Sequence, residues 1–206
     1  MKRALPILVI AVLLGLLVWV LSVPRPHPPG LAAHKTLAPG RRPQGGDFRL
    51  DSAGGPVALS DLRGRVVLIY FGYTWCPDIC PTNLASIARA LKQLTAAELA
   101  DVQVLFVTVD PQRDTAARLA RYAGFFHPNI IGLTGTEVQI AEIATRYGAA
   151  FRRHVPSDSA MGYMVDHSAQ TYLVDPHGRL RGTLDHGAPA AEIVAAIRGL
   201  RSSSAP

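Results

Sequence analysis

RVVLIYFGYTWCPDICP, residues 65–81, runs from an apolar, β-branched segment directly into the only two cysteines of the chain. Arg65 to Phe71 shows no alternation of polar and apolar positions, which is the pattern of a strand buried on both faces. Pro81 then fixes where the next element starts. A proline clashes inside a helix but is tolerated in the first turn, where N–H groups have no intrahelical partner. With Asp78 as N-cap, Cys80 falls in that first turn and Cys76 in the loop before it. Leu84, Ile87, Ala88, Leu91 and Leu94 continue as one apolar helical stripe.

Outward from this stretch, Val102 to Val109 is a second buried strand, so strand, helix and strand make a parallel βαβ unit. On the N-terminal side, Phe48 to Leu50 and Val57 to Leu59 flank Gly54-Gly55 as a hairpin. On the C-terminal side, Ala116 to Phe125 and Glu137 to Tyr147 read as helices, the latter capped by Thr136 and stopped by Gly148. Gln170 to Asp175 and Arg179 to Leu184 flank Pro176-His177-Gly178 as a second hairpin, and Pro189 to Leu200 closes as a helix. A βαβ half followed by a ββα half, with a cysteine pair at the start of the first helix, predicts an α/β thioredoxin-like fold with an N-terminal β-hairpin. The segment Arg152 to Asp166 has no sustained period and reads as a long functional loop.

The chain has 206 residues, 49% of them hydrophobic, enough for one core-bearing domain with appendages. Ala4 to Val23 is an uncharged run behind Lys2 and Arg3, as long as the roughly 20 residues that cross a bilayer. It predicts a single transmembrane anchor with a cytoplasmic N-terminus; a cleaved signal peptide is the competing reading. The resulting division is an anchor at 1–23, a Pro-rich spacer at 24–46, the thioredoxin-like domain at 47–201 and a tail at 202–206. No Arg- and Ser-rich targeting peptide precedes the anchor, so the expected location is a bacterial inner membrane with the C-terminal domain in the periplasm. The net charge of +6 comes partly from the N-terminus and spacer, and the remaining arginines are scattered. This excludes a nucleic-acid surface as the working reading.

Two cysteines cannot staple a domain, so they point to chemistry. A helix N-terminus favours their thiolates, which serve both redox exchange and soft-metal binding. A disulfide needs Cβ atoms about 3.8 Å apart, whereas i and i+4 helix neighbours lie about 5–6 Å apart. The Cys-x-x-x-Cys spacing therefore favours metal without deciding. Among the seven histidines, His27, His34 and His177 read as solvated side chains, and His127 and His186 as surface residues. His167 differs, because it precedes the strand from Gln170, where disulfide reductases usually present a cis-proline to the cysteine pair. Val-Asp-His-Ser-Ala-Gln holds no proline there.

Four stretches, YFGYTWCPDICP, VDPQRDT, GLTGT and DHSAQTYLVDPHG, together resemble the Sco/SenC family of membrane-anchored copper-binding proteins that help assemble cytochrome c oxidase. The resemblance spans the globular part and implies Cys76, Cys80 and His167 as copper ligands, for Cu(I) and Cu(II). It also implies cytochrome c oxidase subunit II as recipient, with a second copper chaperone or a thioredoxin-like reductant as further partners. Asp166 and Asp78 are candidates to orient the imidazole or offer an oxygen, with helix capping the alternative for Asp78. Asp110, Arg113 and Asp114 are expected to fix the loop after the second strand, and Trp75 to shield the site or meet a partner. Met161 and Met164 are soft donors expected to pack rather than ligate. The rival function is a thiol–disulfide oxidoreductase that uses Cys76 and Cys80 alone to keep subunit II cysteines reduced or to signal. The peroxiredoxin signature Pro-x-x-x-Thr-x-x-Cys does not fit, since Thr74 stands two residues before Cys76.

Overall fold

The structure is a computed structural model that describes residues 43–155 and 162–202. The predicted anchor, most of the spacer, the segment 156–161 with Met161, and the end of the tail lie outside the described residues. Among the described residues no helix is long and apolar enough to cross a membrane.

Strand β3 (Val66–Gly72) is buried at every position, and so is β4 (Val102–Thr108). They pair in parallel from Val66 opposite Val102 to Gly72 opposite Thr108. Continuous burial on both faces explains why neither strand alternates in sequence. The central five-stranded sheet has the order β5-β4-β3-β8-β9. Strand β5 (Ile130–Leu133) is parallel to β4, whereas β8 (Thr171–Val174) is antiparallel to β3 and β9 (Leu180–Leu184) to β8. The N-terminal hairpin comprises β1 (Arg49–Ser52) and β2 (Gly55–Ala58), so Leu59 belongs to the following 3-10 turn rather than to the strand. Of the two glycines assigned to its turn, only Gly55 takes a positive φ.

Alternate residues of β3 face two layers. Phe71 meets Tyr147 and, with its neighbour strand, Tyr172. Tyr147 belongs to the helix Glu137–Tyr147, whose start is a full capping box at Thr136 and Gln139 and whose end is Gly148 at φ 75°. Tyr70 and Gly72 face the other way, toward Phe106 and Cys80. That layer holds α1 (Ile79–Leu91), the helix after the cysteine loop; α2 is the short turn Ala96–Ala100, α3 is Ala116–Phe126, α4 is Glu137–Tyr147 and α5 is Ala190–Ser202. Helix α1 packs on α5.

Several expectations change. The segment read as a long loop is a two-stranded ribbon, β6 (Phe151–His154) with β7 (Met164–His167), paired from Phe151 opposite His167 to His154 opposite Met164. It stands outside the main sheet and buries only Val165, so it leaves no hydrophobic alternation to read. Both flanks of the segment are thus strands, and residues 156–161 between them lie outside the described residues. Strand β5 was missed because four residues containing Gly132 carry no period. His127, expected at the surface, is 9% exposed, and its Nδ1 accepts from the Asn129 N–H at 3.1 Å. The end of the spacer is held in place: the N–H groups of Gln44 and Gly45 donate to the Arg146 carbonyl, and the Tyr147 hydroxyl donates to the Gly46 carbonyl.

The ribbon is fastened to the loop after β4 by Asp110, which has no exposed surface. Its carboxylate accepts from Arg113 Nε and from the Tyr163 hydroxyl at 2.7 Å, with Arg153 at 3.6 Å. Arg113 also donates to the Tyr163 carbonyl at 3.0 Å and lies 3.7 Å from the Tyr163 ring centroid. Removing one member of a buried charged network leaves the others uncompensated. Asp110→Ala is therefore expected to lower stability by about 3 kcal/mol or more in denaturant unfolding, and to speed hydrogen exchange at Val165 and Asp166. Unchanged exchange along β7 would show that the ribbon is held by something else.

Candidate metal centre

The sharp turn after β3 sets the two sulfurs at different depths. Cys76 keeps 9% of its surface exposed and Cys80 none. Helix α1 begins between them, with Asp78 at the N-cap position as the proline predicted. The capping role itself is corrected: the Asp78 side chain makes no capping hydrogen bond. Cys76 supplies an acceptor instead, since the Cys80 N–H points at Cys76 Sγ at 3.5 Å. A sulfur thus takes the place a carboxylate oxygen usually holds at a helix start.

His167 is the last residue of β7 rather than part of a loop, and its Nε2 lies 3.3 Å from Cys80 Sγ. Cys76, Cys80 and His167 each offer one ligand atom, and all three atoms fall within 4.8 Å of one another. The structure therefore brings together all three residues singled out in the sequence. Of the other candidates, Asp166 does not orient the imidazole. Neighbouring strand residues point to opposite faces, and its carboxylate instead faces His154 Nδ1 at 3.3 Å and Arg152 at 3.7 Å. His167 Nδ1 is held by the Ser168 carbonyl at 3.0 Å, which fixes the ring so that Nε2 faces the sulfurs. Met164 shares the face of Asp166 and so points away from the cluster.

The surroundings of the cluster are aromatic and close-packed. Tyr70 and Tyr73 meet the imidazole edge-on, with ring centroids 6.2 and 5.8 Å away. The Tyr70 hydroxyl donates to Cys80 Sγ at 3.7 Å, and the Tyr73 hydroxyl accepts from the Val165 N–H. Asp114, fully buried, accepts from the Thr74 N–H at 2.9 Å, from the Thr74 hydroxyl and from the Thr108 hydroxyl at 2.7 Å. It thereby holds the residues that lead into Cys76. Trp75 is 39% exposed beside the cysteine loop, with the Arg118 guanidinium 4.6 Å from its ring centroid. The sequence alone gives Asp114 a loop-bracing role and assigns none at the cluster to Tyr70, Gly72, Tyr73, Thr74 and Ser168. The signal for them was their position inside the same quoted motifs.

The two thiols share their charge unequally. The hydrogen bond from the Cys80 thiol, aided by His167 and by the Asp78 and Cys80 N–H groups, outweighs burial and lowers Cys76 to about 4. Burial first, and the Cys76 sulfur second, push Cys80 well above the ordinary thiol range. Burial, then the neighbouring Cys80, also push the Tyr70 hydroxyl up, so it remains a donor. The cluster therefore holds one negative charge over two sulfurs near neutral pH, with Cys76 the thiolate.

Two outcomes follow from this geometry. A Cβ at Gly72 would stand 2.6 Å from Cys80 Sγ and 2.8 Å from the Phe106 ring. Gly72→Ala is expected to cost about 1–3 kcal/mol through overpacking, read by thermal or denaturant unfolding; full retention of stability would contradict the close approach. Because Cys76 is depressed in the folded protein, it is a thiolate where the unfolded chain still carries the proton. It adds stability as pH rises from about 4 toward the ordinary thiol pKa of about 8.5, and that stability is lost as pH falls back through 4. Iodoacetamide should accordingly alkylate Cys76 at a nearly constant rate from pH 5.5 to 8. A roughly tenfold rise per pH unit, as an ordinary thiol gives, would contradict it.

The comparisons with known proteins agree with this arrangement. The SCO1/SenC family profile matches residues 38–202. The bovine mitochondrial SCO2 homologue is 43% identical over 155 residues, which cover 74% of this chain and 58% of that longer protein. An SCO2-like protein of Rickettsia conorii is 40% identical over 176 residues, covering 84% of this chain and 85% of its relative. Among solved structures, yeast Sco1 with copper bound superposes with a TM-score of 0.71 at 34% identity, covering 80% of this chain and 92% of the yeast chain. With the matched region spanning the central sheet, the cysteine loop and the His167 ribbon, the chain belongs to the SCO1/SenC family.

Proposed function

We propose that this protein is a copper-binding metallochaperone that helps assemble the binuclear copper centre of cytochrome c oxidase subunit II, with Cys76, Cys80 and His167 as the copper ligands. The observation that carries the reading is the convergence of two sulfurs and one imidazole nitrogen within 4.8 Å, a donor set that suits copper. Thiolates favour Cu(I), and imidazole serves both Cu(I) and Cu(II). Copper bound to the similar yeast Sco1 supports the assignment.

The unequal depth of the sulfurs suits delivery. An incoming ligand from the recipient meets Cys76 first, while Cys80 and His167 keep their hold from below. Three protein ligands leave room for that incoming donor, so the cargo passes by ligand exchange rather than by release into solution. In this reading residues 1–23 anchor the chain in a bacterial inner membrane, 24–46 form the spacer, and the 47–201 domain works in the periplasm with 202–206 as its tail. Subunit II is the recipient, and a second copper chaperone or a thioredoxin-like reductant is the upstream partner. A second reading, thiol–disulfide exchange with the subunit II cysteines, is favoured by the low pKa of Cys76 beside a second thiol. That chemistry needs both cysteines but not His167.

Titration of the purified chain with copper separates the two. His167→Ala should weaken copper binding by about a hundredfold or more, since losing an outer-shell partner alone costs about 10–100-fold, while thiol–disulfide exchange with glutathione through Cys76 and Cys80 persists. Copper affinity equal to wild type would overturn the ligand set.

A further inference from the structure

Tyr70 touches the site from inside the core. It is fully buried, stacked on Phe106 with ring centroids 6.1 Å apart, and edge-on to His167. Its packing fixes the ring, and the hydroxyl ends 3.7 Å from Cys80 Sγ. Gly72, two residues on and on the same face of β3, leaves the gap that Cys80 Sγ occupies. We infer that Tyr70 is a positioning residue whose hydroxyl weights the Cys76–Cys80 pair toward its reduced, metal-receptive form.

The reason lies in the acceptor. In the reduced pair the Cys80 thiol donates to the Cys76 thiolate, a charge-assisted bond about twice as strong as a neutral one, and the Tyr70 hydroxyl behind Cys80 Sγ polarises that thiol and strengthens the bond. A disulfide sulfur carries no charge and accepts poorly. The same O–H therefore stabilises the reduced pair and leaves the oxidised pair nearly untouched. Reduction by glutathione breaks the S–S bond between Cys76 and Cys80. Two glutathione thiols supply two electrons and two protons and end as glutathione disulfide. An extracytoplasmic cysteine pair meets oxidants, and a fixed donor behind Cys80 opposes closure of the disulfide without blocking the exposed face of Cys76. The hydrogen bond should also draw charge from Cys80 sulfur, as bonds to ligating sulfurs do at metal sites.

This inference rests on Cys76 and Cys80 being the working pair but not on copper, so it is tested on metal-free full-length protein equilibrated with reduced and oxidised glutathione. Tyr70→Phe keeps the ring and removes the donor. Its equilibrium constant for reduction should fall about tenfold, which corresponds to about 30 mV. Tyr122→Phe is the matched control, because the Tyr122 ring also packs on Phe106 but its buried hydroxyl has no hydrogen-bond partner among the described residues; its constant should equal wild type. Replacing Tyr70 with 3-fluorotyrosine, a stronger donor of nearly the same shape, should raise the constant, and this arm stands even if Tyr70→Phe folds poorly. A Tyr70→Phe constant within twofold of wild type, an equal shift in Tyr122→Phe, or a fall on fluorination would each overturn the inference. None of these outcomes bears on whether His167→Ala loses copper, so the two claims fail separately.

Discussion

Two carboxylates with no exposed surface, Asp110 and Asp114, hold the site together. Taking a carboxylate out of water costs several kcal/mol unless charged and hydrogen-bonding partners surround it. Each of these two is surrounded, and the partners come from other segments. Asp114 draws in Thr74 from the loop before Cys76 and approaches Arg118, which in turn reaches back to Thr74 at 2.6 Å. Asp110 draws in Arg113 and then Tyr163 and Arg153 from the ribbon that ends at His167. One short loop after β4 therefore sets where the cysteine loop and the histidine ribbon stand. Together with the Val165 N–H donated to the Tyr73 hydroxyl, it brings two sulfurs and an imidazole from distant parts of the chain to one place.

The buried centre of the fold was readable from residues 65–71 and 102–109, because a strand covered on both sides is apolar at nearly every position, Gln103 and Thr108 being the buried polar exceptions in the second. The helix start between the sulfurs was equally readable from Pro81, and the Glu137–Tyr147 helix from its cap at Thr136 and its stop at Gly148. The His167 ribbon was not. A two-stranded ribbon outside the main sheet is half wet on both faces, so Arg152, Arg153, His154 and Asp166 sit in it without any hydrophobic rhythm. The roles of Asp78 and Asp166 were misjudged for a related reason. Sequence adjacency suggested that they serve their neighbours, whereas strand alternation turns Asp166 away and Cys76 sulfur pre-empts the cap. Asp114 could not be linked to Thr74 across forty residues without the fold.

The site is asymmetric by construction. Cys76 is the outer, charged sulfur, backed by helix N–H groups. Cys80 is the inner one, enclosed by Tyr70, Gly72 and the imidazole. A symmetric, fully enclosed pair would hold a metal ion without a route for exchange, and a fully exposed pair would oxidise freely. Trp75, the exposed residue just before the outer sulfur, has the Arg118 guanidinium over its ring. The same asymmetry serves a thiol exchange reaction through Cys76, which is why the cysteines alone do not distinguish the two chemistries and the imidazole does.

The most direct test of the account is therefore the identity of the atoms around copper in the loaded protein, measured by X-ray absorption at the copper edge. Two sulfur scatterers and one imidazole per copper, with the imidazole signal lost in His167→Ala, are predicted. A shell of oxygen and nitrogen only, or an unchanged imidazole signal in that variant, would contradict it.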